Sequence, residues 1–257
     1  MEINLLVVNV GNSRVALGTF VAGELEHTDR VNVCEREQLV QRIAEAWRRI
    51  ADRPNAEVAG ASVNPPLMAE VEAAVRQASG RNVQWVGRDI DLPIPVLTEN
   101  PAETGVDRIL NIAAAHEQMG RGCVVVDAGT AVTVDCCNDA GEFLGGAIAP
   151  GVSLMLEALH RGTACLPLVQ MEVPADAFGR NTRQAIVQGA YHGIRGMVRE
   201  LVEQYATRLG YWPEVIATGG DAKLLFEGWE LIHAIAPDLT LYGIALAYAE
   251  HHIKHGT

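Results

Sequence analysis

The chain is poor in aromatic residues, 5% of its 257, and has no excess of basic charge. Lys and Arg number 20 against 32 Asp and Glu, so the formal net charge is -12. A general affinity for nucleic acid or anionic membranes needs a basic face that releases counterions, so neither partner is expected and any anionic ligand must be held locally. A Cys-x-x-Cys pair is also missing: the five cysteines, at 34, 123, 136, 137 and 165, are odd in number. That pattern argues against a disulfide framework or a zinc ribbon and fits a reducing cytoplasm. No stretch approaches the ~18 apolar residues of a membrane span, and Met1-Glu-Ile-Asn-Leu-Leu6 has no basic segment ahead of its apolar run, so no targeting signal is expected. Gly and Pro are scattered, which excludes a fibrous or low-complexity chain. What remains is 49% hydrophobic and 20% charged, long for one domain and comfortable for two.

The opening run, Val7-Val-Asn-Val-Gly-Asn-Ser-Arg-Val-Ala-Leu-Gly-Thr-Phe20, reads as two strands joined at Gly11-Asn12-Ser13. A tight hairpin explains Gly11 and Asn12 but not Asn9, which stands before the turn. Apolar residues at helical spacing predict a helix over Glu35–Ala51, followed by a strand over Val58–Val63 and a helix over Leu67–Ala78 that opens at Pro65-Pro66 and stops at Gly80. This alternation implies a parallel component in the sheet. Val83–Val86 is a further strand; Leu92-Pro-Ile-Pro-Val-Leu97 is too rich in proline for a central strand and reads as an edge or a connecting arm. A helix over Ile109–Met119 closes at Gly120.

Val124-Val-Val-Asp-Ala-Gly-Thr-Ala-Val-Thr-Val-Asp135 then repeats the opening pattern, with Asp127 in the place of Asn9 and Gly129 in the place of Gly11. Glu142–Ile148 mirrors the way Leu17–Leu25 would continue the first sheet. A long helix over Thr182–Leu209, a strand, turn and helix over Val215–Leu225, and a closing helix over Leu239–Ile253 complete the chain. Two lobes of similar build, 1–117 and 118–257, are expected to pack around a cleft. Small polar loops recur after apolar strands at Asn9–Ser13, Asp127–Thr130 and Thr218–Asp221. Such loops let backbone N–H groups approach phosphate oxygens while a carboxylate holds a cation, which together describes a nucleotide cleft.

With Asn9-Val10-Gly11-Asn12-Ser13-Arg14 and Asp127-Ala-Gly-Thr130 as phosphate motifs and Ala217-Thr-Gly-Gly220 as an adenosine motif, the chain resembles the superfamily of actin, sugar kinases and heat-shock chaperone ATPases. Gly105-Val106-Asp107-Arg108, Gly145-Gly-Ala-Ile-Ala-Pro-Gly151 and Gly179-Arg-Asn-Thr182 narrow the likeness to the type III pantothenate kinase family. The resemblance implies an α/β protein of actin-like ATPase fold, two lobes of mixed sheet flanked by helices around a nucleotide cleft. It implies phosphorylation of the primary hydroxyl of pantothenate by ATP, the first committed step towards coenzyme A. Asp107 is then the base, and Arg108 suits the pantothenate carboxylate. The same resemblance assigns Asn9–Arg14, Thr130, Gly219 and Gly220 to ATP, Thr98, Gly105–Arg108 and Thr182 to pantothenate, and Asp127 to an activating monovalent cation, K+ or NH4+, beside the Mg2+ that accompanies ATP. Thr182 matches a residue that reaches the substrate from the other subunit of a homodimer.

Two positions depart from the family pattern: Asn9 stands where the first loop usually begins with Asp, and Thr98 stands where a substrate-contacting Tyr is common. Asn9 is the feature that favours the alternative, a catalytically weakened regulatory or binding relative. Glu250-His-His-Ile-Lys-His255 reads as dipole partners of a helix end rather than a metal site. Cys136 and Cys137 would point to opposite faces of a strand. His160 and Arg161 follow the Gly-rich segment and are not assigned to the substrate pocket. Gly189, Gly193 and Gly196 leave a smooth stripe on the long helix, in the core or across a dimer.

Overall fold

Seven residues of near-continuous burial, Asn4–Val10, form the centre of the first sheet in the computed structural model, which describes residues 3–256. This strand, β1, pairs antiparallel with β2 (Arg14–Val21) and parallel with β4 (Ala56–Ser62). With β3 (Glu24–Asn32) beyond β2 and β5 (Val83–Trp85) beyond β4, the sheet order is β3-β2-β1-β4-β5. The second sheet repeats the plan. Its centre, β6 (Cys123–Ala128), lies between β7 (Ala131–Cys137) and β9 (Glu214–Thr218), with β8 (Phe143–Pro150) and β10 (Ala234–Ile235) at the edges. Each centre strand therefore has an antiparallel hairpin on one side and a parallel neighbour on the other.

The two faces of β1 are covered by different elements because successive side chains point to opposite sides. Leu6, Val8 and Val10 pack with α1 (Leu39–Trp47) and α2 (Pro65–Ser79), through Ile43, Trp47, Leu67, Val71 and Val75. Asn64 caps α2, its Oδ1 accepting from Leu67 N–H at 3.3 Å, a contact worth about 1 kcal/mol. On the other face Leu5 and Val7 pack with Leu110 of α3 (Val106–Met119) and with Leu241, Ile244 and Ala247 of α7 (Leu239–His255). In the second sheet Val124, Val126 and Ala128 share a core with α4 (Val152–Gly162), α5 (Thr182–Leu209) and α6 (Ala222–Phe226).

Two compact units result: residues 3–95, 99–114 and 239–256 form the first, and 96–98 with 115–238 form the second. The division departs from a single cut after residue 117 in three places, the first being that the change of unit falls after Ala114 and puts 115–117 in the second. The closing helix α7 belongs to the first unit, because its apolar residues complete the core under Leu5, Val7 and Phe20. Val96–Thr98 belongs to the second: Leu97 N–H donates to Phe143 O at 2.9 Å, and Val96 forms a lone bridge with Phe143. The proline-rich arm is thus held to β8 by one bridge instead of forming a strand. The helix expected over Glu35–Ala51 is shorter, because a 3-10 segment over Val33–Gln38 precedes α1 and Glu35 has non-helical backbone angles. Among the described residues no helix is long and apolar enough to cross a membrane.

Candidate active site

The residues singled out from the sequence divide between the two units. Asn9–Arg14 and Gly105–Arg108 lie in the first; Thr98, Asp127, Thr130, Thr182, Gly219 and Gly220 lie in the second. Asn9 is the next-to-last residue of β1, in register with Ala16 and Ala61. It is partly exposed while Val8 and Val10 on either side are fully buried, so its side chain leaves the face that packs on α1 and α2. It stands instead on the face of Leu5 and Val7, where α3 packs. The following turn is held by Gly11 N–H donating to Arg14 O at 3.0 Å and by Val33 N–H donating to Ser13 O at 3.0 Å. Asn12, Ser13 and Arg14 are exposed.

Asp107 opens α3, the helix on that same face. Its carboxylate accepts from Arg108 N–H at 2.8 Å, as suits an acid in the first turn of a helix. Burial pushes the Asp107 carboxyl above the usual carboxylate range, against the opposing pull of that N–H and of the Arg108 charge. The arrangement suits a group that must take up a proton: a carboxylate kept basic by burial, with a guanidinium beside it in sequence. Asn9 and Asp107 are thus brought onto one face of the first sheet by strand parity and by the packing of Leu110.

In the second unit three loops converge on the end of β6. Asp127 is in register with Thr133 on β7 and Thr218 on β9. Gly129 N–H donates to Ala131 O at 3.0 Å and closes the hairpin, one residue shorter than the loop after β1. Gly151 N–H donates to Thr130 O at 3.0 Å, and a Cβ on Gly151 would overlap backbone oxygens, lying 2.6 Å from Thr130 O. Asp221 N–H donates to Ala128 O at 2.9 Å and seats the Thr218–Asp221 turn. Gly219 has φ +94, and a Cβ there would meet Ala128 O and lie 2.5 Å from Asp127 Oδ1. Only glycine combines that backbone conformation with so close an approach. Asp127, Gly129, Thr130, Gly151, Gly219 and Asp221 are therefore one cluster. Gly151 and Asp221 close the Gly145–Gly151 run and the Thr218–Asp221 turn that the sequence marks, and their backbone contacts with Thr130 and Ala128 are what the sequence does not reveal.

Thr98 is partly buried beside β8, its Cγ2 at 4.0 Å from where a Cβ of Gly145 would stand. Thr182 is the exposed first residue of α5. Its neighbours serve the helix start: Asn181 Oδ1 accepts from Gln184 N–H at 3.0 Å, and Gln184 Oε1 accepts from Arg180 N–H at 2.9 Å. Much of Gly179-Arg-Asn-Thr182 is thus a cap that fixes where Thr182 stands. His160 bonds through Nδ1 to Leu166 O at 2.8 Å, a local contact after α4.

Residues 5–204 match the protein family described as type III pantothenate kinase. The chain belongs to the type III pantothenate kinase family. A type III pantothenate kinase of Dehalococcoides mccartyi strain CBDB1 is 35% identical over 254 residues, covering 95% of both sequences. Among solved structures, a Baf family transcriptional activator from Campylobacter jejuni superimposes with TM-score 0.62 at 20% identity, over 95% of this chain and 98% of that one. The activator of 2-hydroxyisocaproyl-CoA dehydratase from Clostridium difficile, solved with bound ADPNP, gives TM-score 0.53 at 10% identity over 99% and 97%. The chain shares the fold of these proteins, that of the actin-like ATPases.

Membership of the type III pantothenate kinase family implies an ATP-dependent kinase that works with a divalent metal. The residues at the end of β6 fit a cation. Thr133 Oγ1 is buried without a hydrogen-bond partner, and Thr133 is the direct cross-strand neighbour of Asp127, so the two side chains project on one face. The Asp127 carboxylate and the Thr133 hydroxyl are oxygen donors of the kind a cation takes.

Proposed function

We propose that this chain transfers the γ-phosphoryl group of ATP to the primary hydroxyl of pantothenate, the first step of coenzyme A synthesis. The observation that carries the reading is Asp107: a carboxylate kept basic by burial, at the start of α3, in the Gly-Val-Asp-Arg sequence that resembles the substrate motif of the family. The hydroxyl oxygen forms a bond to the γ-phosphorus while the bond to the β–γ bridging oxygen breaks, its electron pair leaving with ADP. The hydroxyl proton passes to Asp107. Arg108 pairs with the pantothenate carboxylate, which a guanidinium matches bidentately. Thr98 and Gly105–Arg108 line the pantothenate side. Asn9–Arg14 and the Thr130, Gly219 and Gly220 loops hold ATP through backbone N–H groups. Magnesium, when bound with ATP, would screen the phosphate charges. Asp127, with Thr133 beside it, would hold a monovalent cation, K+ or NH4+. ADP release that depends on pantothenate and rises with potassium or ammonium is the expected result of a coupled assay; hydrolysis of ATP indifferent to pantothenate contradicts the reading.

Thr182 is assigned to the pantothenate site of a second subunit in a homodimer. Supporting this, Ile148 and Phe178 of the second unit are 65% and 73% exposed, large apolar residues that a partner would cover. A fully active monomer in sedimentation contradicts it.

Asn9 favours a second reading, a weakened regulatory relative, because an amide holds magnesium less well than a carboxylate. In the enzyme reading, Asn9→Asp lowers the magnesium requirement or raises turnover. Superimposable magnesium titrations of the two proteins at saturating pantothenate would remove Asn9 from the phosphate loop's chemistry. Absence of activity in both favours the regulatory relative.

A further inference from the structure

The sequence of α7 ends in Glu250-His-His-Ile-Lys-His255, and a helix end alone accounts for cations there. The fold adds something the helix does not contain. Asp91, on the connection after β5, comes back to the last turns of α7, 160 residues away in the chain. Its Oδ2 lies 3.7 Å from His251 Nδ1 and 3.3 Å from His255 Nε2, and the three ligand atoms all lie within 4.8 Å of one another. His251 and His255 are four residues apart on one helix, so their rings lie on one face, tilted 46° to each other with centroids 4.4 Å apart.

We propose that Asp91, His251 and His255 form a binding site for a divalent transition metal of the zinc class. Two imidazoles and one carboxylate are the donor set such an ion takes, whereas magnesium and calcium prefer oxygen alone. With metal–ligand bonds of about 2.0–2.1 Å, two ligand atoms at a tetrahedral centre stand about 3.4 Å apart. The separations from Asp91, 3.3 and 3.7 Å, bracket that value. An open pocket of ≈ 200 Å³ adjoins Asp91 and His251, though not His255, and leaves space for water as the fourth ligand. His251 Nδ1 accepts from the Asp91 backbone N–H at 3.2 Å, so the lone pair sits on the nitrogen that faces the carboxylate. Ligation exchanges that long hydrogen bond for a metal bond. Two other charged groups face the site. Lys254 Nζ binds Asp91 Oδ2 at 3.0 Å and competes with the metal, and Glu250 lines the cavity and favours it. An ion bound here would tie the end of α7 to the segment that leads from β5 towards the proline-rich arm.

The test uses the full-length chain without an affinity tag, titrated with zinc chloride at neutral pH by calorimetry. Cysteines elsewhere can bind zinc, so the site is read as a difference. The His251→Ala/His255→Ala double variant loses one zinc equivalent, Asp91→Asn weakens that equivalent by more than the ~10–100-fold typical of losing an outer-shell partner, and Lys254→Gln tightens it. Zinc raises the Tm of the wild type by about 3 °C or more and leaves that of the double variant unchanged. His255 and Lys254 are well exposed, so Lys254→Gln and the single His255→Ala keep the measurement sound if the double variant folds poorly. Equal zinc equivalents in the wild type and in His255→Ala overturn the proposal, as does a wild type that binds none.

Discussion

Asp107→Asn is expected to lower turnover by ~10²–10⁴, the range for a lost general base, while ATP binding is kept and stability does not fall. The amide preserves shape and can still accept the Arg108 N–H that reaches the carboxylate at 2.8 Å. What it removes is a site for the hydroxyl proton. Burial raises the Asp107 carboxyl above its ordinary value, so the folded state binds the proton more tightly than the unfolded chain does. The stability this contributes is fully present below the unfolded value and is lost as pH rises through the folded one. At neutral pH the ionised carboxylate is therefore a cost, and Asn at 107 should leave the Tm level or raise it. The base must be ionised to act, so the activity of the wild type should rise with pH through an acid limb above the usual carboxylate range. Arg108→Gln, by removing a charge that holds the carboxyl down, should move that limb higher. Near-normal turnover in Asp107→Asn would remove Asp107 from the role.

Gly219→Ala is expected to cost ~2–3 kcal/mol of stability in the second unit and to reduce ATP affinity by about tenfold or more. Two effects combine there. A Cβ is strained at φ +94, and it would meet Ala128 O and Asp127 Oδ1, both in the cluster at the end of β6. Gly210→Ala separates them. Gly210 also has positive φ, +80, but open space surrounds it, so its substitution costs the backbone term of ~1 kcal/mol and leaves ATP binding alone. Denaturant melts and ATP titrations of the two variants measure the difference. Equal ATP affinity in both would mean that the close approach of Gly219 to Asp127 has no part in nucleotide binding.

The duplicated architecture could be read directly because β1–β2 and β6–β7 carry the same alternation and the same turn chemistry, and both sit at the centre of a sheet where burial enforces the pattern. Edges were harder. Only Val31 of β3 is buried, and the Thr28-Asp29-Arg30 stretch gives no apolar signal, while β10 is two residues long. The destination of α7 was not legible either, since an apolar helix does not say which core it completes; here it covers Leu5 and Val7 at the other end of the chain. The same holds for the site. Asn9, Gly11, Asp127 and Gly219 announce themselves as small or polar residues interrupting apolar strands. Thr133, which joins Asp127 only through strand register, and Asp91, which joins His251 across the fold, have no local pattern to reveal them.

Phosphorylation of pantothenate at its primary hydroxyl is decided by identifying the product. Wild-type chain is incubated with pantothenate, Mg-ATP and potassium, and the mixture is analysed by mass spectrometry and phosphorus NMR. The expected product is a pantothenate monophosphate esterified at the primary hydroxyl, formed in step with ADP and nearly absent when Asp107→Asn replaces the wild type. ADP with unmodified pantothenate, or a phosphate on any other group, would contradict it.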